Sequence, residues 1–553
     1  MEKRNIVNVV NFIRGAEPRI PGFDLVTPVK EQISLLKELG LKGTFLLQYD
    51  ALTEPVFKEM LLAEGDRFEV GAWFESVESL CAAAGVAWRG REGFSWDWFA
   101  GVSMLAGYSP EEREKLTDAY MAEFKSTFGR YPASAGSWVL DAHSVAYMQK
   151  KYGVKAFCNC KEQYGTDGYT LWGGYYNGGY YPSVNNALMP AQTEEKQIPA
   201  PVFRMLGIDP VSQYDFGMSA EGGAPKLQGV ITLEPAYTGA EGGGGVPSWV
   251  DWYFAKMFGG NCLTYAYAQA GQENSFGWDA MKDGLTYQFK KLAELQKEGR
   301  AEVLTLEETG EWFRKSFPLT PPSAIVCDTN WNDGKKSFWY NCKNYRVNLF
   351  CEENTLRIRD FYVFDENFEE SYLRGVCGGN YAEYINLPVM DGNRWSGGGV
   401  LAGIFFETAA GEPVRFTETG YAEDGLSARF LFHTEQFGKI EVRAEESGLK
   451  ISAEKRAEEL ILHFCRNEEN ADARMAAEEG KIAFAYRGFS YALALENMRF
   501  DGEKLALCGK TGALKIKGEK NESARQKDRF FGRQHHGRRA RLFRGKKLRY
   551  PLR

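Results

Sequence analysis

Histidine is scarce in this chain of 553 residues, which contains five. His143 stands alone in the first three hundred residues, and the others lie far downstream: His433, His463, His535 and His536. Zinc sites that activate water usually combine histidines with carboxylates or cysteines. Because the amino-terminal part has a single histidine, we predict that its chemistry uses no metal and no other cofactor.

Cysteine is present, with ten residues, but their spacing shows no framework of disulfide pairs. Cys158 and Cys160 form a C-x-C pair on a predicted strand. Neither a second cysteine pair nor a histidine lies nearby to complete a zinc site. Free thiols persist in reducing compartments, so we expect a cytoplasmic protein.

Long apolar runs are missing as well. No stretch of about 18 apolar residues occurs, so we predict no membrane span. The opening stretch MEKRNIVNVVNFIRG lacks the apolar core and the small-residue cleavage site of a secretory signal. We therefore expect no membrane partner, and the sequence leaves the oligomeric state open.

Charge is unevenly distributed, because the formal net charge of −7 combines a basic carboxyl terminus with an acidic remainder. Residues 517–553 contain 14 Lys and Arg against 3 Asp and Glu. Such a segment can bind nucleic acid, but it can equally be a solvated tail or an end read in a shifted frame. We expect a disordered tail and no nucleic-acid partner, since the acidic body repels polyanions.

Strands and helices alternate over the first three hundred residues. The first buried strand is predicted at Ile6–Ile13. The helix that follows has Thr27 as its N-cap and stops at Gly40, and a longer helix runs from Ser109 to Gly129. Repeated strand–helix units predict an α/β fold with a parallel sheet. We expect a (β/α)7-8 barrel over residues 1–318, with a doubly wound sheet as the alternative.

Two regions depart from this alternation. Residues 161–200 are rich in Gly, Tyr and Asn, which predicts an aromatic loop insertion that lines a substrate site. From about Ser323 the apolar residues alternate with period two, as in SFWYNCKNYRVNLFCEENTLRIRD. This second pattern predicts an antiparallel β-sandwich domain over residues 319–516.

Carboxylates follow the predicted barrel strands: Glu17, Glu75, Asp141, Glu234 and Glu273. In β/α barrels the functional residues lie at the carboxyl ends of the strands. Two such groups, one protonated and one ionised, can cleave a glycosidic bond without a metal. The positions therefore indicate a site of acid–base chemistry at one end of the barrel.

The barrel region resembles the glycoside hydrolase/deacetylase superfamily of incomplete (β/α)7 barrels. The stretch GTFLLQYDALTEPVFKEM, followed by DRFEVGAWFES, is similar to the deacetylase run that carries metal-binding histidines. Those positions hold Ala72 or Trp73 and Glu75 or Ser76 here, and RGAEPR replaces the usual aspartate pair after the first strand. The resemblance implies the fold and argues against a metal-dependent deacetylase.

A more remote resemblance is to family 57 glycoside hydrolases. The stretch WVLD, from Trp138 to Asp141, is similar to the W-L-x-E motif of that family, which implies the nucleophile role for Asp141. The stretch GQENSFGW is similar to the family's general-acid segment and implies that role for Glu273. These two residues, with Glu17 and Glu75, are the predicted catalytic carboxylates.

The neighbours of each carboxylate suggest how it would act. Glu273 lies near Phe276 and Trp278, where burial would raise its pKa. Asp141 precedes a helix whose first amides favour an anion, so it is either a nucleophile or an N-cap without a catalytic role.

Two arginines flank Glu17 in RGAEPR, and they form either a structural salt bridge or a grip on acidic or hydroxylated sugar groups. Aromatic side chains near the strand ends would be sugar platforms or core residues. The predicted substrate-binding residues are Arg14, Arg19, Trp73, Trp96, Trp138, His143, Trp172, Tyr175, Glu234, Gln272 and Trp278.

We therefore expect a metal-independent glycoside hydrolase with a carbohydrate substrate, a small oligosaccharide or glycoside. One alternative is a non-catalytic carbohydrate-binding protein on a degenerate deacetylase-like barrel. Another is a carbohydrate isomerase or lyase, because one fold supports several reactions. The sequence determines neither the sugar and its linkage nor the stereochemical outcome.

Overall fold

The computed structural model describes residues 3–216, 218, 231–239, 242–455 and 459–516. These residues belong to one compact unit, Met1–Ile516. The predicted basic tail, residues 517–553, lies outside the described residues. None of the helices in the described ranges is long and apolar enough to cross a membrane.

The first half of the chain alternates strands with helices. Its strands are β1 Arg4–Ile13, β2 Thr44–Leu47, β3 Glu69–Trp73, β4 Ser134–Gly136, β5 Ala156–Asn159, β6 Tyr169–Trp172, β7 Gly179–Tyr180, β8 Pro182–Ser183, β9 Asn186–Pro190, β10 Val202–Arg204, β11 Tyr265–Ala270 and β12 Glu302–Leu304. Its helices are α1 Val26–Leu39, α2 Tyr49–Thr53, α3 Pro55–Leu62, α4 Glu78–Ala84, α5 Ala100–Ser103, α6 Pro110–Phe128, α7 Ala142–Tyr152, α8 Pro247–Met257, α9 Trp278–Lys297 and α10 Leu306–Ser316.

A curled sheet holds this half together, in the order β11-β1-β2-β3-β4-β5-β10-β7, with β12 also paired to β1. The pairs from β11 to β10 are parallel, and β7 joins β10 antiparallel. The predicted α/β character is therefore confirmed. Among the described strands the sheet stays open, with β11 and β7 at its ends, so a closed seven- or eight-stranded barrel is not confirmed.

Helix ends show which local signals the sequence carries. Helix α6 begins at Ser109, whose side chain accepts the N–H of Glu112 in a capping box, and it ends at Gly129 in the left-handed conformation, as predicted. Helix α1 ends at Gly40 as predicted, but Thr27 is not its N-cap. Instead, the side chain of Asp24 accepts hydrogen bonds from the backbone N–H groups of Val26 and Thr27.

The second half of the chain is built of strands, and all but one of those named here pair antiparallel with their neighbours. They are β13 Ser323–Asp328, β14 Lys336–Asn341, β15 Tyr345–Glu352, β16 Thr355–Val363, β17 Ala382–Ile385, β18 Leu387–Asp391, β19 Gly403–Thr408, β20 Phe416–Asp424, β21 Ser427–Thr434, β22 Gly438–Glu445, β23 Gly448–Ala453, β24 Leu460–Cys465, β25 Arg474–Glu478, β26 Lys481–Tyr486, β27 Phe489–Glu496, β28 Met498–Phe500, β29 Lys504–Leu507 and β30 Thr511–Ile516. One sheet has the order β13-β14-β15-β16-β19-β24-β29-β28, and the other has β20-β21-β22-β23-β30-β27-β26-β25.

The insertion at residues 161–200 contains strands β6 to β9 and packs against this second half. Strand β6 pairs in parallel with β17, more than two hundred residues later in the chain. Tyr176 stacks on Trp339 with ring centroids 3.6 Å apart. The indole of Trp172 donates to Asp391, 3.1 Å away. The segment predicted as an aromatic loop insertion thus contains four short strands, and these aromatic side chains pack against the second half of the chain. Its substrate-lining role stays a prediction.

Candidate active site

Arg14 lies at the centre of a buried cluster at the carboxyl ends of the strands. It directly follows β1 and has 4% of its surface exposed. Its Nε and Nη2 donate to Oε2 and Oε1 of Glu75 over 3.0 and 2.8 Å. Burial lowers the pKa of Arg14, but Glu273 and Glu75 outweigh that effect and raise it. The cluster thus contains a permanent cation held between two carboxyl groups.

Glu273 is the second carboxyl group beside this guanidinium. Its Oε2 lies 2.8 Å from Nη1 of Arg14, at an angle that makes no hydrogen bond. The hydroxyl of Ser275 donates a hydrogen bond to Oε1 of Glu273 over 2.7 Å. Its oxygen accepts a hydrogen bond from Nη1 of Arg14 over 2.8 Å. Burial raises the pKa of Glu273 to about 7 although Arg14 and Ser275 oppose the rise. One oxygen of an acid that titrates near neutrality therefore lacks a hydrogen bond.

Glu75 has one further hydrogen-bond donor besides Arg14. It follows β3 with 1% of its surface exposed. The amide of Gln48, which follows β2, donates to Glu75 Oε2 over 2.8 Å. Three donated hydrogen bonds from Arg14 and Gln48 fix the carboxylate in one orientation. Neighbouring parallel strands thus bring together polar groups that are far apart in the chain.

The backbone after β11 is shaped to bring Glu273 to this place. Gly271 has φ 107°, and a Cβ there would lie 2.2 Å from the carbonyl oxygen of Val10. Only glycine allows this turn so close to β1. The side chain of Asn274 then pairs with the backbone of Arg14, accepting its N–H and donating to its carbonyl over 2.9 Å each. These contacts fix the spacing between the two chain segments.

Glu234 and Gln272 form the next part of the cluster. The amide of Gln272 donates to Glu234 Oε1 over 3.2 Å. Burial raises the pKa of Glu234, and the nearby charge of Lys161 opposes the rise. Glu234 also raises the pKa of Glu273, which places its charge near the central pair. Both residues therefore lie at the predicted site.

Glu17 and Arg19 lie beside the cluster and pair with each other. Arg19 Nε donates to Glu17 Oε1 over 2.6 Å, and a second contact joins Nη2 to Oε2. The ring of Trp96 lies 4.2 Å from the Arg14 guanidinium and 5.0 Å from that of Arg19. Such cation–π contacts stabilise the charged forms. The two arginines predicted to share Glu17 instead serve different carboxylates, and Trp96 lies between them.

Trp73 and Trp138 pack on the side chain of Phe12. Trp73 stacks on Phe12 at 4.1 Å, and Trp138 meets both rings edge-on at 5.0 and 5.3 Å. Trp73 is fully buried, whereas Trp138 is half-buried. The role of Trp73 in the structure is therefore packing, and Trp138 keeps exposed ring surface.

Asp141 belongs to a different network. It is the N-cap of α7, where its Oδ1 accepts the N–H of Ser144 over 2.9 Å. Its Oδ1 also accepts Nη1 of the fully buried Arg113 over 3.0 Å, and its Oδ2 accepts the hydroxyl of Ser144. The capping alternative thus accounts for both oxygens. These contacts of Asp141 do not include Arg14, Glu75 or Glu273, so its catalytic role stays a prediction.

Four other predicted binding residues lie apart from the Arg14 contacts. His143 is on α7, 3.2 Å from Glu114. Trp172 and Tyr175 are fully buried, and the hydroxyl of Tyr175 donates to the carbonyl of Pro321. Trp278 is the half-buried first residue of α9. Their substrate contacts stay predictions.

Several residues of the cluster escaped the sequence reasoning. Gln48, Asn274 and Ser275 are neutral, and polar residues of this kind are common in loops. Lys161, which follows β5, is 3% exposed and donates to Gln163 over 2.7 Å. Its place just after a predicted strand was the available signal.

The metal that the deacetylase resemblance would imply does not fit these side chains. Glu75 stands at one of the positions that would carry a ligand, and its carboxylate is engaged by Arg14 and Gln48. In the described ranges, no three His, Cys, Asp or Glu side chains come together as ion ligands. All ten cysteines are free thiols.

The fold is similar to that of one solved structure. A protein from Parabacteroides distasonis, provisionally named a glycoside hydrolase/deacetylase, is 14% identical, with a TM-score of 0.51 over 70% of this chain and 90% of that one. Weaker likenesses are to two proteins provisionally named polysaccharide deacetylases, from Mycobacterium smegmatis and Pseudomonas aeruginosa PAO1. Each is 12% identical over 57% of this chain and 93% of the other, with TM-scores of 0.32 and 0.34.

Residues 101–321 match a family described as a domain of unknown function with a solved structure (DUF3863). No curated protein matches the chain. The comparisons thus support the fold at low identity, and the likeness to family 57 glycoside hydrolases stays a prediction.

Proposed function

We propose that this protein is a glycoside hydrolase that cleaves a small oligosaccharide or glycoside with a carboxyl pair and no metal. Glu273 acts as the general acid, and Glu75 is its ionised partner. In this proposal residues 1–318 form the catalytic domain and residues 319–516 a β-sandwich domain. The fold likeness to a glycoside hydrolase/deacetylase supports the choice of carbohydrate chemistry.

The state of Glu273 is the observation that carries the proposal. A general acid works best when its pKa lies near the working pH, and burial brings the pKa of Glu273 to about 7. Its Oε2 is buried against Nη1 of Arg14, 2.8 Å away, so the proposal requires the carboxyl group to turn toward the sugar before it gives its proton to the glycosidic oxygen. The C–O bond to the leaving group breaks as that oxygen takes the proton, and a water molecule supplies the new C–O bond at the anomeric carbon, either directly or after a covalent bond to Glu75 has formed and been hydrolysed. The remaining proton of that water passes back to the carboxyl pair.

In this proposal the carboxylate of Glu75 supplies the negative charge beside the sugar ring. Positive charge develops on the sugar ring in the transition state, and a fixed carboxylate stabilises it. One guanidinium contacts both carboxyl groups, so they lie near each other. The proposal requires a separation of about 5–10 Å, the range used by retaining and inverting enzymes. Arg14 is the positioning residue for the pair.

The half-buried ring of Trp138 and the exposed end of Arg19 are the proposed contacts to the rest of the sugar. An aromatic face packs on the C–H groups of a sugar ring, and a guanidinium donates to its hydroxyl groups. Arg19 keeps 41% of its side chain exposed although it pairs with Glu17. Glu234 and Gln272 are the proposed polar contacts deeper in the site.

One observation favours a second candidate, a non-catalytic carbohydrate-binding protein. Arg14 engages both carboxyl groups, and such bridging can turn a catalytic pair into a structural ion cluster. In that case the protein would bind sugars at the same strand ends without turning them over.

The test compares native protein with Glu273→Gln on a panel of oligosaccharides and aryl glycosides, with reducing ends and released acetate measured in parallel. We expect new reducing ends from native protein and none from the variant. The matched control is Glu69→Gln, since Glu69 is also a buried glutamate with a raised pKa but begins β3, at the amino end of the strand and away from the candidate site. Saturable sugar binding without turnover by native protein would favour the second candidate, and acetate release would replace hydrolysis by deacetylation.

A further inference from the structure

Two large apolar side chains are exposed beside the candidate active site. Ile20 has 41% of its surface exposed and lies on the loop that follows β1. Phe276 has 39% exposed and lies on the segment that follows β11. Both segments leave the carboxyl ends of parallel strands, where Arg14 and Glu273 also lie. Single exposed apolar residues are ordinary on protein surfaces, so their positions relative to each other and to the acid decide their meaning.

The two segments touch through the ring of Phe23. A Cβ at Gly277 would lie 2.8 Å from Cζ of Phe23, so this ring packs directly on the glycine backbone that follows Phe276. The backbone N–H of Phe23 donates to the carbonyl of Ile20 over 3.2 Å, which closes a turn between them. We call Ile20, Phe23 and Phe276 the apolar rim, because they lie along the stretch where the two segments meet.

The apolar rim lies on the side of the site from which the proposed acid acts. Ser275, which directly precedes Phe276, donates a hydrogen bond to Glu273 over 2.7 Å. A general acid gives its proton to the oxygen of the leaving group, so the leaving group lies next to the acid. The exposed ring of Phe276 is therefore placed to contact the leaving group.

Polar groups beside the apolar rim are few. Arg19 keeps an exposed guanidinium and is the proposed sugar contact. Asp24 accepts two backbone N–H groups at the start of α1, and the Ser275 hydroxyl uses its proton and its oxygen within the Arg14 cluster. A sugar hydroxyl group needs free donors or acceptors, whereas an apolar group needs only surface to pack on. Past Arg19, the rim offers apolar surface.

We propose that the apolar rim binds the leaving group of the substrate, which is an alkyl or aryl aglycone and not a second sugar. This inference rests on the proposed hydrolysis and names the class of glycoside within it. The aglycone packs on Ile20 and Phe276, while the sugar ring occupies the strand ends beside Glu75.

The test compares hexyl and methyl glycosides of the same sugar, because their leaving alcohols have similar acidity and differ in apolar length. The panel contains both anomers of D-glucosides, D-galactosides and D-xylosides, and the released sugar is measured. We expect kcat/KM for the hexyl compound to exceed that for the methyl compound about tenfold, the gain from burying about two methylene groups. The double variant Ile20→Ser with Phe276→Ser should lower this ratio to about one.

Leu62→Ser is the matched control. Leu62 is 49% exposed and ends α3, shortly before β3 begins and thus at the opposite end of the strands. Its ratio of hexyl to methyl kcat/KM should equal that of native protein. All the replaced side chains are exposed, and urea unfolding of each variant checks that folding is intact.

Calorimetric binding of the same glycosides to native protein separates the failure of this inference from the failure of hydrolysis. Hydrolysis of both compounds at equal kcat/KM, or a ratio that the double variant leaves unchanged, overturns the apolar leaving group and leaves hydrolysis standing. Faster hydrolysis of a disaccharide than of the hexyl glycoside does the same.

The opposite result is also distinct. If nothing is hydrolysed but hexyl glycosides bind about tenfold more tightly than methyl ones, and the double variant loses this preference, hydrolysis is wrong and the apolar site stands. Equal binding of both compounds, or binding of neither, in a protein that hydrolyses nothing overturns both proposals.

Discussion

Arg14 and Glu75 form a two-point ion pair in which the 3.0 and 2.8 Å contacts lie almost wholly out of solvent. The pair joins the end of β1 to the end of β3, across the intervening β2. Planar two-point pairing fixes orientation as well as distance, which a lysine in the same place could not do. The geometry of the proposed acid pair therefore depends on this one arginine.

Removal of the Arg14 charge should be costly for folding. Arg14→Met leaves Glu75 buried and unpaired, and the free energy of unfolding should fall by about 3–5 kcal/mol. Urea unfolding followed by circular dichroism measures this change. The exposed pair Lys42–Glu308 gives the control, and Lys42→Met should cost less than about 1 kcal/mol. The double variant Arg14→Met with Glu75→Leu should recover much of the lost free energy of unfolding. Equal losses for Arg14→Met and Lys42→Met would show that the buried ion pair is worth no more than an exposed one.

Glu273 should make stability depend on pH in a definite direction. Its pKa is about 7 in the folded protein against 4.5 as the ordinary value, so the folded state binds the proton more tightly than the unfolded state. The stabilisation from this group is complete below pH 4.5 and is lost as the pH rises to about 7. The free energy of unfolding of native protein should thus decline relative to Glu273→Gln across that window. Glu38→Gln, at an exposed position on α1, should follow native protein, and parallel curves for all three proteins would refute the shift.

The same protonation should govern the proposed hydrolysis. Only the protonated form of Glu273 can act as the acid, so kcat/KM should fall as the pH rises above about 7. Initial rates on the best glycoside, measured from acid to alkaline pH, give this limb. A rate that keeps rising through pH 8 would assign the acid role to another group.

Asp141 should matter for stability more than an ordinary helix cap. Asp141→Ala removes the N-cap of α7 and also the carboxylate that pairs with the fully buried Arg113, with an expected cost of about 3–5 kcal/mol. Ser109→Ala removes the cap of α6 without disturbing a buried ion pair and should cost about 1 kcal/mol. The difference between the two unfolding free energies measures the Arg113 pairing. Equal costs would show that Asp141 is no more than a cap.

Chelation tests the carboxyl mechanism directly. Activity of the purified protein should survive dialysis against EDTA, because the positive charge of the cluster belongs to Arg14 and cannot be removed. Elemental analysis should find less than stoichiometric zinc. One zinc per chain, with activity lost on its removal and restored on its return, would overturn the mechanism.

The sequence predicted the local features well because their causes are local. A largely apolar run predicted β1 as a buried strand, and Ser109 and Gly129 marked both ends of α6. At the carboxyl ends of the strands, Glu75 and Glu273 come together with Arg14, and their catalytic role stays a prediction. The ion-pair partners of Arg14 could not be predicted from the sequence, because they depend on tertiary packing. Arg14 is three residues from Glu17, yet it pairs with Glu75 and Glu273.

The aromatic insertion shows the same limit. Its composition indicated a binding loop, and nothing in residues 161–200 reveals that β6 would pair with β17 far along the chain. Burial of Trp172 and Tyr176 depends on strands that the local sequence does not contain.

The pairing of β6 with β17 can form only after β17 has been synthesised. When the ribosome has made the first half of the chain, the partner of Tyr169–Trp172 does not yet exist, and contacts between such distant segments form slowly. Until Ala382–Ile385 emerges, an open strand edge and aromatic rings stay in water, which makes the nascent chain a client for chaperones. A gene fragment that stops before β17 would leave that edge exposed for good, so aggregation during expression is the natural consequence of this one long-range ladder.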